Sequence, residues 1–296
     1  MRVFVDTAWN SKKHTCYDPI KDAFFEVDSL VELKDYQEMY LDSSIFPNMW
    51  QQLREIINEG KRVYYFAKPW KWKEIRERFR EDLKNKTGKV SKTDKGDAYL
   101  IYKVYELSLI KGNIHKYFKP LTIIDVELRP LLMRESMLYR SLRRVQGANM
   151  IGIDVGVDVK ILERMVEDVR REIVDKAFKL IPGFIDVAKG LGLDMDYVDG
   201  LTGLAGLLVY NKFITSYKKS IKFLGLYKAT GREGRKMKKY NRKAQRYLLI
   251  LTNAILCKNG EHRLPKYKDL RKILKIVIEL EKKLMGLAGE GLGWKP

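Results

Sequence analysis

Four aspartates have the type and placement for metal chemistry. Asp6 closes an apolar run, Val3-Phe4-Val5, and an acid at the end of such a run is costly unless it is used or paired. Asp42 closes a second short run, Met39-Tyr40-Leu41. Asp94 and Asp97 stand three apart at the start of a helical pattern, so they share one face. Two-metal phosphoryl transfer needs acidic ligands converging on ions about 3.5–4 Å apart, and magnesium takes hard oxygen ligands of this kind. Each acid also has a plainer alternative. Asp94 could be a helix N-cap, Asp97 first-turn dipole chemistry, and Asp42-Ser43-Ser44 an ordinary turn.

The elements that must position these acids follow from the apolar pattern. Residues 2–6, His14 to Tyr17 and Ala23 to Val27 read as three strands, with Asn10-Ser11 and Asp18-Pro19 as turns between them. Met39 to Leu41 is a further short strand. Pro47 opens a helix with Trp50, Leu53, Ile56 and Ile57 on one face and Gly60 as its stop. Arg62 to Ala67 is a strand closed by Pro69, Lys71 to Leu83 a charged helix, and Asn85 to Thr93 a basic loop. From Asp94 the positions Ala98, Ile101, Val104 and Tyr105 have helical spacing. Adjacent strands first and crossovers afterwards predict an α/β domain of RNase H-like (RuvC-like) order over residues 1–120.

Beyond it the strand pattern gives way. Arg134 to Gln146 and Val159 to Leu180 read as two long amphipathic helices, a coiled-coil arm over residues 121–180. Residues 181–296 read as an all-α domain whose last helix runs from about Tyr267 to Leu284. Lys and Arg number 58 against 38 Asp and Glu, a formal net charge of +20 that favours a polyanionic partner. Much of the excess lies between Lys218 and Arg246. Lys218, Lys219, Lys222, Lys228, Arg232, Arg235, Lys236, Lys238, Lys239, Arg242, Lys243 and Arg246 face one acid there, Glu233. Tyr217, Tyr227, Tyr240 and Tyr247 interleave, which suits phosphate contacts with stacking on bases. A solvated basic helix face is the plainer reading. Cys16 and Cys257 are too far apart in sequence to suggest a disulfide framework or a CxxC site, which predicts a reducing interior. The N-terminus has no signal-peptide core, and no apolar run is long enough to span a bilayer, so a cytoplasmic protein without a membrane partner is expected.

The motifs FVDTAW (4–9), YLDSS (40–44) and SKTDKGDA (91–98) resemble those of the DEDD transposase and Piv-type invertase family, which includes insertion-sequence transposases guided by a bridge RNA. Ile181-Pro182-Gly183-Phe184, residues 212–231 and residues 236–256 resemble that family's second domain, in the same order. The resemblance implies a magnesium-dependent recombinase (manganese as alternative) that cuts and rejoins DNA. It further implies ligands at Asp6, Asp42, Asp94 and Asp97, a guide RNA, and work on the nucleoid of a prokaryote. Two strands to exchange, one carboxylate cluster per chain, and helices at Arg134 to Gln146 and Val159 to Leu180 long enough to dimerise predict a dimer or higher oligomer. The chain departs from the family at two positions. Asp42 stands where a Glu is expected, and Ala229-Thr230-Gly231 lies where the family carries a nucleophilic serine, so the resemblance assigns that role to Thr230. Two alternatives stay open: a Holliday-junction-type nuclease with water as nucleophile, and an inactive RNA- or DNA-binding scaffold.

Three decoys are set aside. Asp154 and Asp158 read as a turn and a cap, because Met165 stands where an EF-hand needs its closing Glu. His14, His115 and His262 have no metal-ligand spacing. The Gly190–Gly206 run lacks the Gly-Lys-Ser/Thr of a P-loop and predicts close helix packing instead.

Overall fold

A computed structural model describes residues 1–8, 13–43, 49–211, 214–226 and 240–287. Contacts divide the chain into two compact units, Met1–Pro130 and Leu131–Pro296. No helix among the described residues is long and apolar enough to cross a membrane.

The first unit is built on a sheet that is six-stranded among the described residues, in the order β3-β2-β1-β4-β5-β6. Here β1 is Arg2–Asp6, β2 His14–Asp18, β3 Ala23–Val27, β4 Glu38–Leu41, β5 Arg62–Phe66 and β6 Phe118–Leu121. The first three strands form an antiparallel meander. On the other side of β1, β4 runs parallel to it and β5 parallel to β4. Helix α1 (Trp50–Asn58) supplies the crossover between β4 and β5.

Val3, Phe4 and Val5 are all fully buried because both faces of the sheet are covered. Alternation sends Val3, Val5, Met39, Leu41 and Val63 into one core with Leu53 and Ile56 of α1. It sends Phe4, Tyr40 and Phe66 into the other, with Leu100, Ile101 and Val104 of α4 (Asp94–Ile110). Aromatic rings tile this second face, with Phe4 stacked on Tyr40 at 5.2 Å and Tyr40 on Tyr64 at 4.9 Å. Between β5 and α4 lie two short helices, α2 (Trp72–Arg78) and α3 (Arg80–Thr87). The second of these takes up the start of the segment expected as a basic loop. Strand β6, antiparallel to β5, was not expected.

Helices fill the second unit. Helix α5 (Ile123–Met150) begins in the first unit, well before the expected Arg134, and holds within it Pro130, the last residue of that unit. Helices α6 (Val159–Leu180), α7 (Phe184–Gly190), α8 (Val198–Tyr210), α9 (Tyr217–Phe223), α10 (Arg242–Lys258) and α11 (Tyr267–Leu287) follow. The glycines of α8 work as expected of close packing: a Cβ on Gly203 would lie 2.5 Å from the backbone nitrogen of Leu251, and one on Gly206 would enter the Tyr247 ring. Asp154 accepts from the Gly156 N–H at 2.8 Å, and Asp158 caps α6 by accepting from the Lys160 N–H at 2.8 Å, the turn and cap expected of them.

At the centre of this unit Glu135 is fully buried. Arg170 donates to it at 3.0 Å, Arg246 at 2.7 and 2.9 Å, and the Tyr247 hydroxyl at 3.2 Å. Both guanidiniums lie over the Tyr139 ring, at 5.4 and 5.3 Å. Together these hold the Glu135 carboxyl below the usual range, against the burial that would raise it.

Candidate metal centre

The parallel pairing of β1 with β4 brings the first two acids together. The register runs Val5 opposite Leu41, and the ladder continues with the Asp42 N–H donating to the Val5 carbonyl at 3.1 Å. Asp6 and Asp42 therefore leave neighbouring parallel strands side by side at their carboxyl ends. This is the edge of an open α/β sheet where ligands characteristically bind.

The chain just after β1 is tied down from two sides. The Thr7 N–H and hydroxyl both donate to Asp42 Oδ1, at 2.8 and 2.5 Å, and the Ala8 N–H donates to His14 Nδ1 at 3.0 Å. His14 is buried, and burial lowers its pKa, so its imidazole is held in the neutral state that can accept. Thr7 and His14 thus fix how Asp6 and Asp42 are presented. Sequence reading gave neither a role, although Thr7 follows Asp6 directly within a motif it singled out.

Helix α4 packs on β1 and β2 and brings its first turn to this edge. Its N-cap is Thr93, which accepts from the Gly96 N–H at 3.0 Å. The cap alternative for Asp94 therefore falls away: Asp94 is the exposed first residue of the helix, and its side chain is not the cap. Gly96 belongs to the cap as well, since a Cβ there would stand 2.9 Å from the Thr93 hydroxyl. Asp97, one turn in, is buried and forms an ion pair with Arg76 of α2. The same guanidinium reaches the Ser91 carbonyl at 3.5 Å. Arg76 had no sequence signal, being one of many basic residues on a charged helix.

The acids act on one another. Burial raises the Asp6 carboxyl well above the ordinary carboxylate range, and the charges of Asp42, Asp97 and Asp94 raise it further, against Lys92. Asp42 is raised by burial and by Asp97, opposed by the two Thr7 hydrogen bonds. Asp97 is raised by burial and by Asp94, opposed by Arg76 and Lys92. The opposite end of the sheet differs. There Glu38 is bracketed by Arg2 at 2.5 Å and Arg62 at 2.7 Å.

The donors are all carboxylate oxygens, which magnesium prefers, and a divalent cation would offset the like charges around Asp6. In kind, the residues fit such an ion. Among the described residues, no three His, Cys, Asp or Glu side chains stand ready to close on one ion. Asp97 meanwhile is engaged by Arg76.

In the second unit, Lys218, Lys219 and Lys222 are exposed on α9, and Arg242 and Lys243 are exposed at the start of α10. Arg246 is different, since both its terminal nitrogens serve Glu135. Thr230, Lys228, Arg232, Arg235, Lys236, Lys238 and Lys239 lie outside the described residues. The flanks of that segment meet: the Asn241 N–H donates to the Phe223 carbonyl at 2.8 Å, Tyr240 packs against Gly225, and Arg271 holds the Leu226 carbonyl. His115 and His262 are exposed and take no part in the metal centre. The chain matches no model of a known protein family and no curated protein, so its functional reading rests on this geometry.

Proposed function

We propose that this chain is a magnesium-dependent DNA recombinase or transposase, with an RNase H-like first unit carrying the metal ligands and a basic helical second unit carrying most of the nucleic-acid affinity. The observation that carries the reading is the placement of Asp6 and Asp42 at the carboxyl ends of the adjacent parallel strands β1 and β4, with Asp97 in the first turn of α4, where the charges of the other acids raise the Asp6 carboxyl. A fold has no use for a like-charged cluster at partial burial unless something of opposite charge joins it. The meander-then-crossover strand order and the net charge of +20 support the same reading.

Magnesium bound here would neutralise charge on a phosphodiester and on its leaving oxygen. The chain's own contributions are distinct. Asp6, Asp42 and Asp97 hold the site, with Asp94 at its mouth, and Thr7 fixes the direction of Asp42. Thr230 supplies the attacking hydroxyl: a bond forms from its oxygen to phosphorus, the bond to the departing strand breaks, and the hydroxyl proton is lost to solvent. The protein thereby keeps the phosphate linked until the strands are rejoined. Exchange of two strands calls for more than one copy of the chain, and a guide RNA would supply sequence choice.

The test is strand cleavage by the full chain with DNA and magnesium. Asp6→Asn should abolish cleavage and leave DNA binding intact. Thr230→Ala should abolish the covalent protein–DNA adduct. Cleavage that survives Thr230→Ala but not Asp6→Asn assigns water as the nucleophile and makes the chain a junction-type nuclease. Cleavage untouched by Asp6→Asn removes the metal reading altogether.

A further inference from the structure

Arg76 stands at an unusual place. It comes from the last turn of α2, is largely buried, and makes the direct ion pair on Asp97, the most buried of the four aspartates as a residue. Lys92 is exposed and acts on the acids from a distance, whereas Arg76 is in direct contact with Asp97. Arg76 therefore supplies the positive charge that touches the cluster.

We propose that Arg76 is a resident counter-ion: it holds Asp97 while the site is without a divalent cation, gives Asp97 up when one binds, and then meets the substrate phosphate. The inference rests on the metal-dependent reading of this site. Charge counting supports it. Four ionised aspartates carry four negative charges, which two divalent cations cancel. The guanidinium charge is then surplus beside the cluster, and a phosphodiester brings the single negative charge that matches it. A guanidinium fork released from a carboxylate is also the right shape for two phosphate oxygens.

The experiment is manganese titration of the full chain followed by electron paramagnetic resonance, with the wild type, Arg76→Gln and Arg76→Lys compared. Removing one positive charge within a few ångströms of the ion should tighten manganese binding by about tenfold in Arg76→Gln. Arg76→Lys should lie in between. Without metal, Arg76→Gln should unfold at a lower temperature than wild type, and manganese should restore more of the loss than it adds to wild type. In the metal-loaded protein, Arg76→Gln should weaken DNA phosphodiester binding at the site, with Arg76→Lys partly rescuing it. A purely bracing role predicts equal or weaker manganese binding in Arg76→Gln, and that outcome overturns the proposal. Hydrogen exchange on the wild type gives an independent check that needs no variant. Manganese should speed exchange in α2 and slow it in the first turn of α4, and slowing in both would also overturn it. If the wild type binds no manganese, the metal reading itself fails. If it binds manganese and Arg76→Gln binds no tighter, only the counter-ion role fails.

Discussion

Each unit of this molecule buries a charged constellation, and the two are built on opposite principles. Glu135 is enclosed by Arg170, Arg246 and Tyr247, and its carboxyl is easier to ionise than in water despite full burial. Asp6 sits among Asp42, Asp97 and Asp94, and its carboxyl is harder to ionise than in water. The first cluster is complete: two guanidiniums meet two carboxylates, since Arg170 also pairs with Asp199 at 2.5 Å, and each charge has its opposite. The second is short of positive charge, with Arg76 covering one acid. Buried charge by itself is therefore uninformative about function. The sign of the imbalance is what separates a brace from a binding site.

Substitutions can test this contrast. The largest effect is expected from Asp6→Asn, which should cut magnesium-dependent strand cleavage by roughly three orders of magnitude or more. The same change should raise the unfolding temperature, because it removes an acid whose ionisation burial and the neighbouring acids oppose; lost stability would place Asp6 with the braces. Glu135→Ala should cost about 3 kcal/mol in urea unfolding, since it strips Arg246 of its carboxylate and leaves Arg170 only its second partner, Asp199. A cost near zero would mean that the triad is solvated in solution.

The pH response should differ in sign between the two units. Asp6 has a raised folded pKa, so its unit loses stability as pH rises above the unfolded carboxylate value and through the folded one. Glu135 has a lowered folded pKa, so its contribution is present above the unfolded value and is lost as pH falls through the folded one. Hydrogen exchange read separately in β1 and α10 should show β1 protection falling from pH 5 to 8, where α10 is flat; magnesium should flatten the β1 trend. The smallest effect concerns binding. Lys218→Gln with Lys219→Gln should lower the slope of log affinity against log salt by about one unit per lost phosphate contact. Arg246→Gln should leave that slope unchanged and lower stability instead, and a changed slope would show that Arg246 reaches DNA after all.

Much of the first unit was legible because short apolar runs and turn residues mark β1 to β5, and because Asp94 and Asp97 share a helix face whatever surrounds them. What escaped had physical reasons. Strand β6 is four residues long and contains Pro120, which argues against a strand except at an edge, where β6 lies. Pro130 reads as a helix breaker, yet α5 continues through it. The Arg76–Asp97 pair joins residues 21 apart, and nothing in a run of similar basic residues marks which one turns inward. Arg246 shows the same limit from the other side. Its type and neighbours place it in a basic segment, while its partner Glu135 lies 111 residues away.

The meeting of Phe223 with Asn241 and of Gly225 with Tyr240 has a consequence for how this protein can change. The described residues on either side of 227–239, the stretch that carries Thr230 and six of the basic side chains proposed for nucleic acid, meet at one point. An insertion anchored this way can be lengthened, shortened or exchanged without repacking the helices on either side. A chain in which Leu226 is joined to Tyr240 through a short glycine turn should keep the α10 fold and melt within a few degrees of the parent, while losing adduct formation. Descent with modification could then change the length and charge of that one segment while leaving the rest of the unit as an inherited frame.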